Sequence, residues 1–440
     1  MLLIKIVLTI IALYSGIKCY PKQTFRFLSI FAGPFIRLYI KKRISDGLED
    51  KDRQNERFGI PSKNRPSGKL VWIHAVSVGE TISVIPFIEE FKKINPDTNI
   101  LLTTTTLTAA KLVEDRLKDS VIHQFMPFDV YKWDRRFVKY WKPDAVFFVE
   151  SEIWPNILYY LYEKDIPTYM LNVRVSERSL KRLFFAKKFF NILPYSLFRT
   201  VFVPTDEIKK NVRDLGAREI EVVPNLKTIS KKLPVNFENS ENLKNKINGR
   251  KVWIAVSSHK GEEEIILDVH KKLKEKYPDI LTVIAIRHPA RAEEVGELCS
   301  ESEASVSLYS KILDDEKKIS EDILILDKIG CLGEFFETID TVLVCGSLID
   351  EIGGHNMLEP LNFMCNVATG QYIENFRDIY QYVEKYCKKL TNANEITEFI
   401  TESIELYKRN PEILKDIDFT KHWIKAIKQI SKSVYNRGRH

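Results

Sequence analysis

A chain of 440 residues has room for two domains, and 44% apolar with 29% charged residues describes a folded globular protein rather than a disordered one. The net charge of +7 is modest, its Lys and Arg are scattered and no nucleic-acid-binding motif is present, so DNA and RNA are poor partners; a basic surface facing anionic lipid head groups fits better. The six cysteines show no C-x-x-C spacing and read as reduced thiols, with Cys345 and Cys365 packed inside.

In chain order, Leu2 to Ile17 is almost wholly apolar, broken by Lys5, and slightly short of the roughly 20 residues that span a bilayer. Phe25 to Ile40 is apolar too, but Arg26, Pro34 and Arg37 make it an interfacial rather than a crossing segment. Lys41-Lys42-Arg43 then holds the body of the protein on the cytoplasmic side. The competing reading is a cleaved signal peptide starting at Lys5, against which stands the lack of a small-residue cleavage pattern after Tyr14. Residues 1–45 are therefore expected to form a single N-terminal membrane anchor helix with an interfacial segment.

After the linker Pro61 to Pro66, strands and helices alternate. Leu70 to Ala75 reads as a buried strand broken by Val78-Gly79-Glu80. An apolar helix follows with Val84, Phe87, Ile88 and Phe91 at helical spacing. Ser83 is the expected N-cap, which would put Pro86 in the first turn, where its missing N–H costs nothing. Ile100–Thr104, Val121–Phe125, Asp144–Val149, Thr168–Leu171, Val201–Val203 and Ile220–Val223 are further strand candidates. The polar stretch Phe237–Arg250 marks a boundary, after which Val252–Val256, Leu281–Ile286, Ile323–Leu326, Thr341–Val344 and Asn366–Ala368 repeat the alternation. The last helix is expected from about Pro411 to Tyr435. The pattern predicts an α/β protein of two Rossmann-like domains, 46–236 and 237–440, with parallel sheets facing across a cleft and C-terminal helices crossing back to the first domain.

Chemistry-bearing residues collect in the strand-to-helix loops, where open α/β sheets bind ligands. In the first domain these are Glu80, Glu150, Glu152, Arg174, Arg178 and Lys227. Acids and arginines at one sheet edge suit an anionic, hydroxyl-rich acceptor, with Glu152, Arg174 and Arg178 as its candidate contacts. The plain alternative for Glu80 is a carboxylate favouring the helix dipole. In the second domain Ser257 and Ser258 precede a helix N-terminus suited to phosphate. Arg287 can grip an anion bidentately, and Gly353-Gly354 lets backbone approach a ligand near Asn356 and Glu359. The loops lack dinucleotide and Walker spacing, the eight histidines form no H-x-x-x-H pair, and no G-x-S-x-G elbow occurs; NAD, ATP, a metal and a serine hydrolase are disfavoured.

Seven motifs in order, VSVGE (76–80), ESEIWPN (150–156), NVRVSERS (172–179), NLK (225–227), SSHKGEEE (257–264), RHP (287–289) and GGHNMLEP (353–360), resemble the 3-deoxy-D-manno-octulosonic acid (Kdo) transferases of lipopolysaccharide synthesis. The resemblance implies a GT-B glycosyltransferase that moves Kdo from CMP-Kdo to a lipid A precursor with inversion, no metal and no cofactor, at the cytoplasmic face of the bacterial inner membrane. By the same resemblance Glu80 matches the general base, and Glu150 and Lys227 match residues supporting the transition state. Arg287, His288, Ile329, Gly330, Asn356 and Glu359 match contacts to CMP. Two positions depart from the pattern: Pro224 replaces a glycine, and Cys331 an acidic residue. The alternatives are another GT-B enzyme using a UDP-sugar, and an inactive membrane-tethered binding protein.

Overall fold

The computed structural model describes residues 21–118, 120–175, 177–190, 192–229, 232–313 and 317–436. Short apolar runs with few polar interruptions can only be satisfied by strands covered on both faces, and the two sheets they form are wholly parallel. The chain divides into two units: one runs to Ile229 and resumes at Thr420, the other ends at Phe419.

The first unit contains β1 (Leu70–His74), β2 (Asn99–Thr104), β3 (Ile122–Phe125), β4 (Ala145–Val149), β5 (Thr168–Leu171), β6 (Thr200–Val203) and β7 (Ile220–Val222), in the order β3-β2-β1-β4-β5-β6-β7. β1 pairs with β2 on one side, Leu70 opposite Asn99, and with β4 on the other, Val71 opposite Ala145. The order therefore reverses between β1 and β4, the point where such sheets open a ligand crevice at their carboxyl ends. One face of the sheet is covered by Val84, Phe87 and Phe91 of the helix Val78–Ile94, together with Trp423, Ile427 and Ile430 of the helix Thr420–Asn436. The other carries Phe137, Trp141, Ile157 and Leu161.

The second unit contains β8 (Val252–Ser258), β9 (Leu281–Ile286), β10 (Val306–Leu308), β11 (Ile323–Leu326), β12 (Thr341–Val344), β13 (Asn366–Thr369) and β14 (Cys387–Lys389), in the order β10-β11-β9-β8-β12-β13-β14. Its reversal lies between β8 and β12. Cys299, Cys345, Cys365 and Cys387 are buried free thiols and Cys331 is half-buried.

Three elements differ from the sequence expectation. The polar stretch after Asn236 is the helix Phe237–Ile247, capped by the Asn236 side chain and buried through Leu243 and Ile247 in the second unit's core, so the division between units falls upstream of it. The last helix is two, Glu412–Asp416 and Thr420–Asn436, with the break where the chain returns to the first unit. Ser83 is not an N-cap. The helix starts at Val78 on Ser77, and Pro86 lies inside it, beyond the first turn.

Residues 2–17, expected to anchor the chain, lie outside the described residues, as does Cys19. Among the described residues no helix is long and apolar enough to cross a membrane. The interfacial segment is one helix, Pro21–Ser45, that includes Pro34. Its inner face is tied down: Lys22 and Arg26 pair with Glu163, Arg26 lies 4.1 Å over the Tyr131 ring, Arg37 lies 4.5 Å over Phe58, and Ile40 is buried. Its outer face leaves Phe27, Phe31, Phe35 and Leu38 more than half exposed, Phe35 at 73%.

Candidate active site

β1 delivers the chain to Ser77, whose extended backbone and side-chain oxygen start the next helix. Ser77 Oγ accepts from the Glu80 N–H at 3.3 Å and donates to Glu80 Oε1 at 3.1 Å. The Val76 N–H donates to Glu80 Oε2 at 2.7 Å. Glu80 is thus the fourth residue of a Ser-x-x-Glu capping arrangement and stands in the first helical turn rather than in a loop. Burial is the main cause that pushes its carboxyl up to about 7; the Val76 hydrogen bond opposes it, and the charges of Glu150 and Glu152 add to it. A carboxylate poised near neutrality, at the sheet's switch point, can take a proton from a hydroxyl. His74 beside it is a core group: fully buried, bonded to Thr103 at 2.9 Å and pushed down to about 3 by desolvation, it stays neutral.

The neighbouring loop after β4 brings Glu150 and Glu152. Glu150 has φ 61°, a left-handed backbone uncommon for a non-glycine residue, and its N–H is held by the Leu171 carbonyl at 2.8 Å. Glu152 accepts from Trp154 Nε1 at 2.6 Å, and burial followed by the Glu150 charge raises its carboxyl. The helix Pro155–Glu163 is fixed by Asp129, which accepts from the N–H groups of Asn156 at 3.1 Å and Ile157 at 3.0 Å. Arg174 lies on the loop after β5 and takes the Ser151 hydroxyl on its carbonyl. Arg178 is exposed in the first turn of the helix Glu177–Phe190.

Lys227 comes from after the edge strand β7, far from β1 in sheet order, yet it joins this edge. Asn172, with φ 57°, accepts the Leu226 N–H at 3.2 Å, and Leu226 and Ile229 pack among Val84 and Phe87. The Lys227 N–H is in turn held by Asn225 Oδ1 at 3.0 Å. Glu80, Glu150, Glu152 and Lys227 therefore share the carboxyl edge of one sheet.

In the second unit β8 carries a bulge between Val256 and Ser258, with Ser257 at φ 61°. Ser258 is fully buried and its hydroxyl is committed to Glu263 at 2.9 Å. Arg287 and His288 leave β9 exposed. Ile329, at 83% exposure, and Gly330, at φ 91° with open space beside it, form the loop after β11. Glu359 is raised by burial, against the Asn356 side chain that donates to it at 3.3 Å and the Arg287 charge. Gly353 and Gly354 do allow a close approach, but to the chain itself: a Cβ on Gly353 would meet Asn375 Nδ2 at 2.7 Å, and Asn375 Nδ2 donates to the Ile352 carbonyl at 2.6 Å. Among the described residues no group of three His, Cys, Asp or Glu side chains is arranged to hold a metal.

With this geometry in hand, residues 52–230 match the family model of 3-deoxy-D-manno-octulosonic-acid transferase. A probable mitochondrial 3-deoxy-D-manno-octulosonic acid transferase of Arabidopsis thaliana is 33% identical over 413 residues, covering 89% of each chain. The chain belongs to the Kdo transferase family. The transferase is also 28% identical to the 3-deoxy-D-manno-octulosonic acid transferase of Rickettsia bellii over 412 residues, 90% of this chain and 97% of the other. Its fold resembles a glycosyltransferase of Rickettsia africae with TM-score 0.56 at 13% identity, covering 84% and 99% of the two chains; the architecture is GT-B.

Three positioning residues of the transferase were not singled out from sequence. Ser77 was legible as the start of Ser-x-x-Glu before an apolar run. Asn172 and Glu262 were not, because they act on segments distant in the chain. Glu262 is fully buried and accepts from the N–H groups of His259, Gly346, Ser347 and Leu348 at 2.8–3.0 Å, joining the two loops at the second sheet's reversal. Of the departures from the motif pattern, Pro224 offers its carbonyl to Trp423 Nε1 at 2.8 Å, and Cys331 is the N-cap residue of the helix Leu332–Thr338.

Proposed function

We propose that this Kdo transferase moves Kdo from CMP-Kdo to a lipid A precursor with inversion, and that Glu80 is the general base. The observation that carries this reading is the Glu80 carboxyl, held by Ser77 and Val76 at the β1–β4 reversal and pushed up to about 7. In the reaction the acceptor hydroxyl loses its proton to Glu80 and its oxygen bonds to the anomeric carbon, while the bond from that carbon to the phosphate breaks and CMP departs. Glu150 and Lys227 support the transition state, and Glu152, Arg174 and Arg178 hold the acceptor. The second unit takes the nucleotide through Ser257, Arg287, His288, Ile329, Gly330, Asn356 and Glu359; Ser258, expected from sequence beside Ser257, is excluded because its buried hydroxyl donates to Glu263. Fixed N–H groups and cations supply the positive potential, so the reading needs neither metal nor cofactor.

Protection against thermal unfolding tests the donor. CMP is expected to raise the melting temperature more than UDP at equal concentration; a larger effect from UDP contradicts a cytidine donor. Arg287→Ala is expected to weaken CMP binding by about 1.5–3 kcal/mol, the value of one charge-assisted contact, with the fold intact. Unchanged affinity in calorimetry removes Arg287 from the donor site.

A lipid acceptor is reached at a membrane surface, and the reading places the enzyme at the cytoplasmic face of the bacterial inner membrane. Support comes from the outer face of the helix Pro21–Ser45, apolar at Phe27, Phe31, Phe35 and Leu38 and basic at the exposed Lys41 and Lys42. Replacing both Phe31 and Phe35 by Asp is expected to lower flotation with anionic vesicles at least about tenfold, since each buried Phe contributes about 1.5–3 kcal/mol. Undiminished flotation assigns attachment to the segment before Pro21 and removes this helix from it.

A further inference from the structure

Two histidines of the second unit meet across its sheet reversal. His259 follows β8, His355 follows the glycine pair beyond β12, and their Nε2 atoms are 2.8 Å apart. The rings are 6° from parallel with centroids 5.1 Å apart, the spacing of rings joined end to end by an N–H···N bond rather than overlapped. The arrangement is built in from both sides. The His259 N–H is fixed by the buried Glu262 carboxylate, which also takes the N–H of Gly346. Gly346 has φ 70°, and a Cβ there would come within 2.5 Å of His355 Cδ2, so only glycine leaves room for the ring. Both imidazoles are partly exposed, and the His288 ring stands 5.8 Å from His259.

We propose that His259 and His355 form a one-proton imidazole pair that binds the phosphate of the donor nucleotide and meets the charge it gains on leaving. The proposal rests on the CMP-sugar reading above. The proton count follows from the bond. One Nε2 donates and the other accepts, so the accepting ring, when neutral, carries its proton on Nδ1. One further proton makes the donating ring an imidazolium; the pair then presents an Nδ1–H from each ring and a single positive charge. A fourth proton would set two Nε2–H groups against each other and break the bond. The pair therefore holds one extra proton and no more.

That capacity equals what the reaction demands. When the anomeric carbon–oxygen bond breaks, the electron pair stays on the phosphate oxygen, and a singly charged diester becomes a doubly charged monoester. The proton of the acceptor hydroxyl goes to Glu80, and the new carbon–oxygen bond completes the exchange. In the free protein burial lowers the basicity of His259, helped by His288, Arg287 and Arg291 and opposed by Glu263. Glu262, Glu264, Asp350, Glu351 and Glu359 are further carboxylates of these segments, and Lys260 a further cation. Burial thus disfavours the extra proton on His259 in the free protein, and in the proposal the third proton enters from solvent with the anionic phosphate.

Calorimetric titration of the full chain with CMP and with cytidine, near pH 7 in two buffers of different ionisation enthalpy, tests this. CMP binding to the unaltered protein is expected to take up protons. His259→Gln and His355→Gln are each expected to bind CMP about ten- to a hundredfold more weakly, to lose most of the proton uptake, and to bind cytidine as before. A purely structural pair would change cytidine and CMP binding together. Folded variants with undiminished CMP affinity and unchanged proton uptake overturn the proposal and leave the donor reading standing. Absence of CMP binding by the unaltered protein overturns both. If His355→Gln, packed on Gly346, does not fold, His259→Gln decides alone.

Discussion

Glu80→Gln is expected to lower single-turnover rate by at least about 10²–10⁴-fold, the usual contribution of a general base. Gln keeps the shape and can still accept the Val76 N–H, so the turn at Ser77 persists. CMP affinity is expected to be unchanged, because the groups proposed for the nucleotide belong to the second unit. The fold is expected to be as stable as before or slightly more so near neutral pH. The raised carboxyl means that the folded state resists ionising Glu80, so this contribution to stability falls as pH rises from the unfolded carboxyl range through about 7. Activity carries the opposite sign, since a base works only when ionised: rate is expected to fall as pH drops below about 7 in the unaltered enzyme, and the variant is expected to lose that limb. A plain helix-dipole role, worth about 0.3–1 kcal/mol, gives the reverse pattern of near-normal turnover with lower stability. Melting temperature and rate measured on the same sample separate the two.

The second large effect is on stability. Trp423 is fully buried, packs against Phe87 and Phe202, and donates to the Pro224 carbonyl at 2.8 Å. With Ile427 and Ile430 it fastens the end of the chain to the sheet face that the helix of Glu80 also covers. Trp423→Ala is expected to destabilise the first unit by about 3–5 kcal/mol, from lost burial and the cavity left behind. Trp423→Phe keeps most of the apolar volume and leaves the Pro224 carbonyl without this donor, so its cost is expected to be smaller. Denaturant unfolding of the three proteins checks the order; equal midpoints for the Ala variant and the parent contradict it.

The sheets were legible because their central strands are apolar on both faces: Ala145–Val149 and Leu281–Ile286 admit little else. The strands β10 and β14 were not, because edge strands as short as Val306–Leu308 and Cys387–Lys389 carry mixed, half-exposed residues without a period. Ser83 was read as the cap on the strength of Pro86, although Ser77 with Glu80 three residues on was the stronger local signal. The acids after β1 and β4 were legible at the sheet's carboxyl edge, where any parallel sheet gathers its strand-to-helix connections, although Glu80 was expected in the loop and stands in the first helical turn. What brings Lys227 to that edge was hidden: it depends on a hydrogen bond from Leu226 to Asn172, two segments whose approach no local pattern encodes. The same holds for His259 and His355, which look like isolated histidines until Glu262 and Gly346 draw their loops together.

The most direct test of the account is the product. Purified protein is incubated with CMP-Kdo and a lipid A precursor in detergent or vesicles, and the lipid is analysed by mass spectrometry. The account predicts acceptor heavier by one or more Kdo residues, with CMP released in equal number and neither change in Glu80→Gln. Acceptor of unchanged mass, or full Kdo addition by the Glu80→Gln protein, would contradict it.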